Sequence, residues 1–221
     1  MTDAPREARV LDAVVSLVDT LLEDFDVVDL LTELTERCTQ LLDVDSAGLL
    51  LTDPRGQLHL MAATSEKTRD LELFQLQAEE GPCLDCYATG HPLSVANLHD
   101  SAGRWPRFAG AATRAGFASV HAIPMRAAGT VLGALGLFGI RAGTLDGADQ
   151  LVGQTLAHIA CVAILQERSL LRPPCRPDCI PRWRGAWRSS RRRASCANAS
   201  TSHWKPRSPC CGVTAGLTAS T

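Results

Sequence analysis

The sequence predicts an α+β fold, one antiparallel sheet flanked by helices, followed from about residue 169 by a segment of different character. Three observations predict it. Apolar residues recur at three- and four-residue steps at both ends of residues 1–170. Two pairs of apolar runs joined by turn residues lie between them, as hairpins do. Past Leu171 neither period survives.

Val10, Leu11, Val14, Leu17, Val18, Leu21 and Leu22 make the stripe of a first helix. Asp26 is placed to cap a second, with Asp29 at its third position and Leu31, Leu34, Cys38, Leu41 and Leu42 as its stripe. Ala47 to Thr52 and Leu58 to Ala63 read as strands joined by Asp53-Pro54-Arg55-Gly56. Glu66 to Gln77 is a mixed helix lying across the sheet. A short helix follows the Gly81-Pro82 break and ends at Gly90. Pro92 to Leu98 is a short edge strand, and Trp105 to Ala115 a helix closed by Gly116. Phe117 to Ile123 and Thr130 to Ile140 are the strongest strands, turning at Ala127-Ala128-Gly129. Asp146 caps a last long helix with the stripe Val152, Leu156, Ile159, Val162 and Ala163.

Gly133, Gly136 and Gly139 sit inside a strand instead of opening a helix, so they make no dinucleotide-binding loop; close packing or bulges explain them. No GxSxG, HExxH, phosphate-binding loop or paired CxxC set is present, and Cys, His and Asp form no recognisable nucleophile arrangement, so no catalytic residue and no enzyme is expected.

The charge breaks where the pattern does. Residues 1–171 hold 12 basic and 23 acidic residues, net −11; residues 172–221 hold 10 basic residues and one acid, Asp178, net +9. Five of nine cysteines and three of four tryptophans fall in that last stretch, which suggests a unit of different origin. The N-terminus lacks the apolar core of a secretory signal, and no run approaches the roughly 18 apolar residues of a membrane span. The expectation is a cytoplasmic protein with no membrane partner and mostly reduced thiols.

This order of elements, with the segments EGPCLDCYATGHPLSVANL, WPRFAGAATRAGFASVHAIPM and GTVLGALGLFG, resembles the GAF domain family over about Phe25 to Leu165. It looks like an actinobacterial-type branch in which a GAF domain precedes an ANTAR RNA-binding domain and the whole acts as a transcription antitermination regulator. The resemblance implies an N-terminal helix over 1–25, a GAF-like sensor domain over 26–168, and a homodimer through the terminal helices. It also implies a small-molecule pocket between the sheet and its covering helices. Cys83, Asp85, Cys86, Trp105, Phe108 and His121 map onto that pocket, although core packing is the leading reading of Trp105 and Phe108, and a structural role that of His121. No residue singles out a cofactor. Cys83-x-x-Cys86 at a helix start fits plain packing, a redox pair with lowered thiol pKa, or half of a metal site whose other half is missing; packing is the leading reading and no metal is assigned.

Residues 169–221 carry Pro at 173, 174, 177, 181, 206 and 209 and the run Arg191-Arg192-Arg193, and read as a disordered basic tail. This composition is also what GC-rich DNA yields out of frame. Offset codons from Asp178 onward permit, by choice among allowed first bases, a helical string containing VEQAKGVL and then EAAFAVL, which resembles an ANTAR domain. Trp204 to Cys211 constrains the second stretch closely. A frame change between about Glu167 and Asp178 then removes the RNA-binding output, and RNA is a partner only of an intact domain. Read literally, the basic tryptophan-bearing tail could instead bind nucleic acid, or Cys175, Cys179, Cys210, Cys211 and His203 a zinc ion, though no standard zinc spacing occurs. The alternative function for the whole chain is a dimeric interaction module without a small ligand.

Overall fold

The computed structural model describes residues 5–101 and 103–170, which lie within one unit, Met1–Pro173. Everything read above from residues 171–221 lies outside the described residues. The elements are α1 (Arg6–Leu22), α2 (Val27–Leu41), β1 (Ser46–Thr52), β2 (Leu58–Ala63), α3 (Glu66–Ala78), α4 (Pro82–Thr89), β3 (Leu93–Val95), a 3-10 turn (Leu98–Ser101), α5 (Pro106–Ala115), β4 (Ser119–Ala127), β5 (Thr130–Gly139) and α6 (Gly147–Leu170).

Local chemistry starts and stops these elements. Asp26 accepts the amides of Val28 and Asp29 at 2.7 and 3.2 Å and so opens α2. Asp53 Oδ1 accepts the amides of Arg55 and Gln57 at 2.8 and 2.9 Å and shapes the β1–β2 turn. Asp146 accepts the amide of Asp149 at 2.7 Å at the start of α6. The β4–β5 hairpin closes on two residues, Ala128 (φ 49°) and Gly129 (φ 79°), both in the left-handed region that such a turn demands.

The sheet is antiparallel throughout, in the order β2-β1-β5-β4-β3. Helices α1, α2 and α6 cover one face; α3, α4 and α5 cover the other. The first face packs Leu31, Leu34, Leu49, Leu135, Leu137 and Leu156 into the larger core. The second packs Trp105, Phe108, Phe117 and Phe138 in one cluster and Leu50, Cys83, Cys86, Ala122 and Ala134 in another.

Three expectations need adjusting. The edge strand contracts to Leu93–Val95, and the chain then makes a 3-10 turn. β4 starts at Ser119, because Phe117 still donates its amide back to Ala112, and it runs on through Pro124. Beyond Ala122 the outer side of β4 has no strand neighbour among the described residues, and a strand open on one side tolerates proline. The single stripe read on α1 divides in two. Ala13 and Leu17 are buried, whereas Leu11 (65% exposed), Val15, Val18 and Leu22 (79%) face outward at steps of four, three and four.

α6 is held at both ends. Near its start Asp149 pairs with Arg6 of α1; in its last turn Arg168 donates to the carbonyl of Thr52, at the end of β1, at 2.7 Å. Gly147–Arg168 is long and apolar enough to cross a membrane, a property masked in the sequence by Gln150, Gln154 and His158, and half of that window is buried in the fold.

Candidate functional site

The site grows from a helix whose inward face is polar. Ser65 caps α3 by accepting the amide of Thr68, and the face turned to the sheet is Thr68, Leu71, Glu72 and Gln75. α3 stops at Glu79, which adopts φ 52°. Two residues on, Gly81 (φ 155°) lets the chain pass so close to Gln75 that any Cβ there would run into its side-chain amide. Pro82 then opens α4 and delivers Cys83 inward.

These three side chains close on one another. Gln75 Nε2 donates to Glu72 Oε2 at 2.8 Å, and Gln75 Oε1 accepts the Cys83 amide at 3.0 Å. The Cys83 thiol reaches Glu72 Oε1 at 3.5 Å. The cluster rests on bare backbone: Gly48 of β1 and Gly136 of β5 are register partners. A Cβ on Gly136 would run into Glu72 and come within 2.9 Å of Cys83 Sγ; one on Gly48 would come within 2.9 Å of Glu72 Cγ. This is the close packing expected of the strand glycines.

Burial sets the protonation states. Glu72 is fully buried, and loss of hydration pushes its pKa up to about 8, opposed in part by the Cys83 thiol. A carboxyl in such a place is held neutral near pH 7 because an unpaired carboxylate in a dry layer is costly. Burial, and then the charge of Glu72, push Cys83 well above the ordinary thiol range; burial alone pushes Cys86 up to about 12. A helix start lowers a thiol pKa only when its amides and a cation outweigh burial, and here burial wins. Among the described residues no group of three or more His, Cys, Asp and Glu is arranged to hold a metal.

The structure brings Cys83, Asp85, Cys86, Trp105 and Phe108 to the same side of the sheet. Cys83 and Cys86 line its inner layer. Asp85 is on the rim, where it accepts from Arg104 Nη2 at 2.7 Å and Trp105 Nε1 at 3.2 Å and so ties α4 to the start of α5. Phe108 and Trp105 pack with Leu71 and Phe138. Glu80 completes the cover by accepting the amides of Arg107 and Phe108 at 2.7 and 3.0 Å, the cap that α5 lacks in its own sequence. His121 does not join them. It shares a strand phase with Ile123, which packs on the α2–α6 side, and its Nδ1 is 2.7 Å from Ser94 Oγ beside a cavity of about 170 Å³ next to Gln150 and Gln154. Burial holds its pKa below the usual histidine range.

Glu72, Gln75 and Gly48 are absent from the residues that sequence reasoning singles out, and Gly81 and Gly136 appear there only as a helix break and a closely packed strand glycine. The available signal was a glutamate and a glutamine at inward steps of a helix whose apolar pattern is weak.

A five-stranded antiparallel sheet with long helices on one face and short helices closing over a buried polar group on the other is the build of a small sensor domain. The GAF domain model matches residues 26–165, and the chain belongs to the GAF domain family. Solved structures agree on the fold. The GAF domain of a phosphoenolpyruvate-protein phosphotransferase from Coxiella burnetii superposes with a TM-score of 0.60 at 16% identity, covering 74% of this chain and 96% of that one. Its Acinetobacter counterpart gives 0.58 at 16%, covering 73% and 96%. A free methionine-R-sulfoxide reductase from Neisseria meningitidis, in complex with its substrate, gives 0.59 at 17%, covering 77% and 97%. The fold therefore occurs in GAF domains of phosphoenolpyruvate-protein phosphotransferases and in a free methionine-R-sulfoxide reductase. No curated protein matches the chain.

Proposed function

We propose that residues 26–168 are the sensor domain of a transcription antitermination regulator. In this reading a small molecule enters the layer between the sheet and α3–α5; in an intact relative the last helix carries the change onward to an RNA-binding ANTAR domain, an output that the frame change removes from this chain. Residues 1–25 supply a helix that packs on α2 and α6. The single observation that carries the sensing role is the Glu72–Gln75–Cys83 cluster, a hydrogen-bonded polar group sealed in an apolar layer and given room by three glycines. Such a group contributes less to stability than a well-packed apolar replacement would, so its presence calls for a role other than packing. Catalysis is disfavoured because both nearby thiols are held protonated. The protein is taken to be cytoplasmic, as an RNA-directed role requires.

The sensing role is tested by thermal denaturation against a library of cytoplasmic metabolites. A specific ligand stabilises the fold by mass action, by about 2.7 kcal/mol at a hundredfold excess over Kd, and so raises the midpoint; Phe108→Ala reduces the effect. No stabilising compound for a folded protein sinks the reading. The output is tested on the gene: the offset frame across codons 167–221 is expected to be open and to encode an EQAKG-like stretch. Stop codons in that frame dismiss the RNA-binding ancestry.

A second reading, a dimeric interaction module without a small ligand, is favoured by the outward seam of Leu11, Val15, Val18 and Leu22 on α1. This seam repeats as a coiled-coil face does, and α6, which packs on α1, also exposes Leu151, Val162 and Leu165. Homodimerisation through the terminal helices is compatible with both readings.

A further inference from the structure

We infer that Glu72, Gln75 and Cys83 form a proton-binding site that latches α3 and α4 onto the sheet, so that opening this layer is coupled to release of the Glu72 proton. The inference rests on the reading that the layer opens to admit a ligand, and it names how that opening is regulated.

The geometry carries it. Glu72 lies on α3, Cys83 on α4, and the floor of Gly48 and Gly136 belongs to β1 and β5, so one carboxyl touches each of the elements that would separate. Both of its oxygens are engaged only by neutral groups, the Gln75 amide and the Cys83 thiol. The titratable groups facing it are Cys83 and, behind it, Cys86, both on α4 and both protonated; the sheet presents two glycines, and α3 presents Thr68 and Gln75. Among the described residues no cation reaches it. The other charged groups of the cover do not face it: Asp85 with Arg104 and Glu80 with the α5 amides sit on the rim with partners of their own, and Glu66, Lys67, Arg69, Asp70 and Glu79 of α3 and its cap are exposed. The two donors offset only part of the cost of a buried carboxylate without a counter-charge, so the closed layer favours the neutral carboxyl.

The sign follows from linkage. In the closed layer the proton is held up to about pH 8; in an open, hydrated layer Glu72 returns to the ordinary value near 4.5. Between these values the closed state binds one more proton than the open one, so the opening constant rises about tenfold per pH unit and levels off above pH 8. Alkaline conditions loosen the layer, and acidic ones hold it shut. An occupant that brings hydrogen-bond donors or a positive charge to the exposed carboxylate favours the same open state.

The test uses the full chain. The Glu72 carboxyl carbon, assigned by its loss in Glu72→Gln, is followed by NMR from pH 4 to 9.5; a midpoint near 8 is expected, and a midpoint near 4.5 overturns the proposal. Hydrogen-exchange protection of α3 and α4 amides, corrected for intrinsic rates, is expected to fall about fiftyfold from pH 6 to 8 in the wild type and to stay flat in Glu72→Gln. Parallel profiles in the two proteins overturn it as well. Should Glu72→Gln not fold, the wild-type titration decides, the carboxyl then being assigned through its own side-chain protons. A high midpoint with no stabilising metabolite keeps the latch and removes the ligand; an ordinary midpoint with a stabilising metabolite does the reverse.

Discussion

Gly48 and Gly136 face each other across β1 and β5, and the Glu72 carboxyl lies on the gap their missing side chains leave. Gly136→Ala is therefore expected to lower stability by about 1–3 kcal/mol, the range for overpacking a closed core. Adding Glu72→Ala should recover part of the loss, giving a coupling energy above about 0.5 kcal/mol in a urea-denaturation double-mutant cycle. Additive effects would mean that the two residues do not share the space.

The four described cysteines, Cys38, Cys83, Cys86 and Cys161, are buried with pKa values raised by burial. Brief iodoacetamide treatment of the native protein at pH 8, read peptide by peptide in a mass spectrometer, should leave all four unmodified, and guanidinium should expose them. Rapid native labelling of Cys83 would restore the redox reading of the CxxC pair.

Asp26→Ala removes the acceptor for two amides at the start of α2. The expected loss is about 1 kcal/mol, seen as a lower urea midpoint with an unchanged m-value. An unchanged midpoint would show that α2 is held by packing alone.

His121 contributes a pH dependence of the opposite sign to that of Glu72. Its folded pKa is lowered by burial, so as pH falls through the unfolded value near 6.5 the unfolded chain takes up a proton that the folded one resists, and stability declines. Replacing it with Asn should flatten the acid side of the stability profile below pH 6.5 while leaving the limb above that pH in place.

Glutamates at Leu11 and Val18, both outward on α1, should leave the thermal midpoint of a monomer nearly unchanged, since neither residue is in the core. If the outward seam is a dimer contact, sedimentation will show the wild type as a dimer and the double variant as a monomer. Equal masses would dismiss it.

The sequence made the order of elements legible because caps and turns are local: Asp26, Asp53, Gly90, Gly116 and Asp146 act within a few residues. The candidate site was half legible. Cys83 and Phe108 stood out by type, but Glu72 lies on a helix whose inward steps carry Thr68, Glu72 and Gln75, so the apolar period that reveals other buried faces is weak there. The glycine floor joins residues 88 positions apart, and no local pattern announces that pairing. The face of His121 was hidden for another reason. β4 is buried on both sides, so alternation carries no phase, and only the packed helices show which way the imidazole turns.

The two tethers of α6 have a mechanical consequence. A helix of 24 residues is a rod of about 36 Å at ~1.5 Å per residue. It is bolted to α1 through Arg6–Asp149 and to the tip of the sheet through Arg168–Thr52. A strain that tilts β1 drags the far end of the rod with it, whereas one that stays within α3 or α4 leaves it still. Arg168 is thus the point where a disturbance of the sheet reaches the last turn of α6.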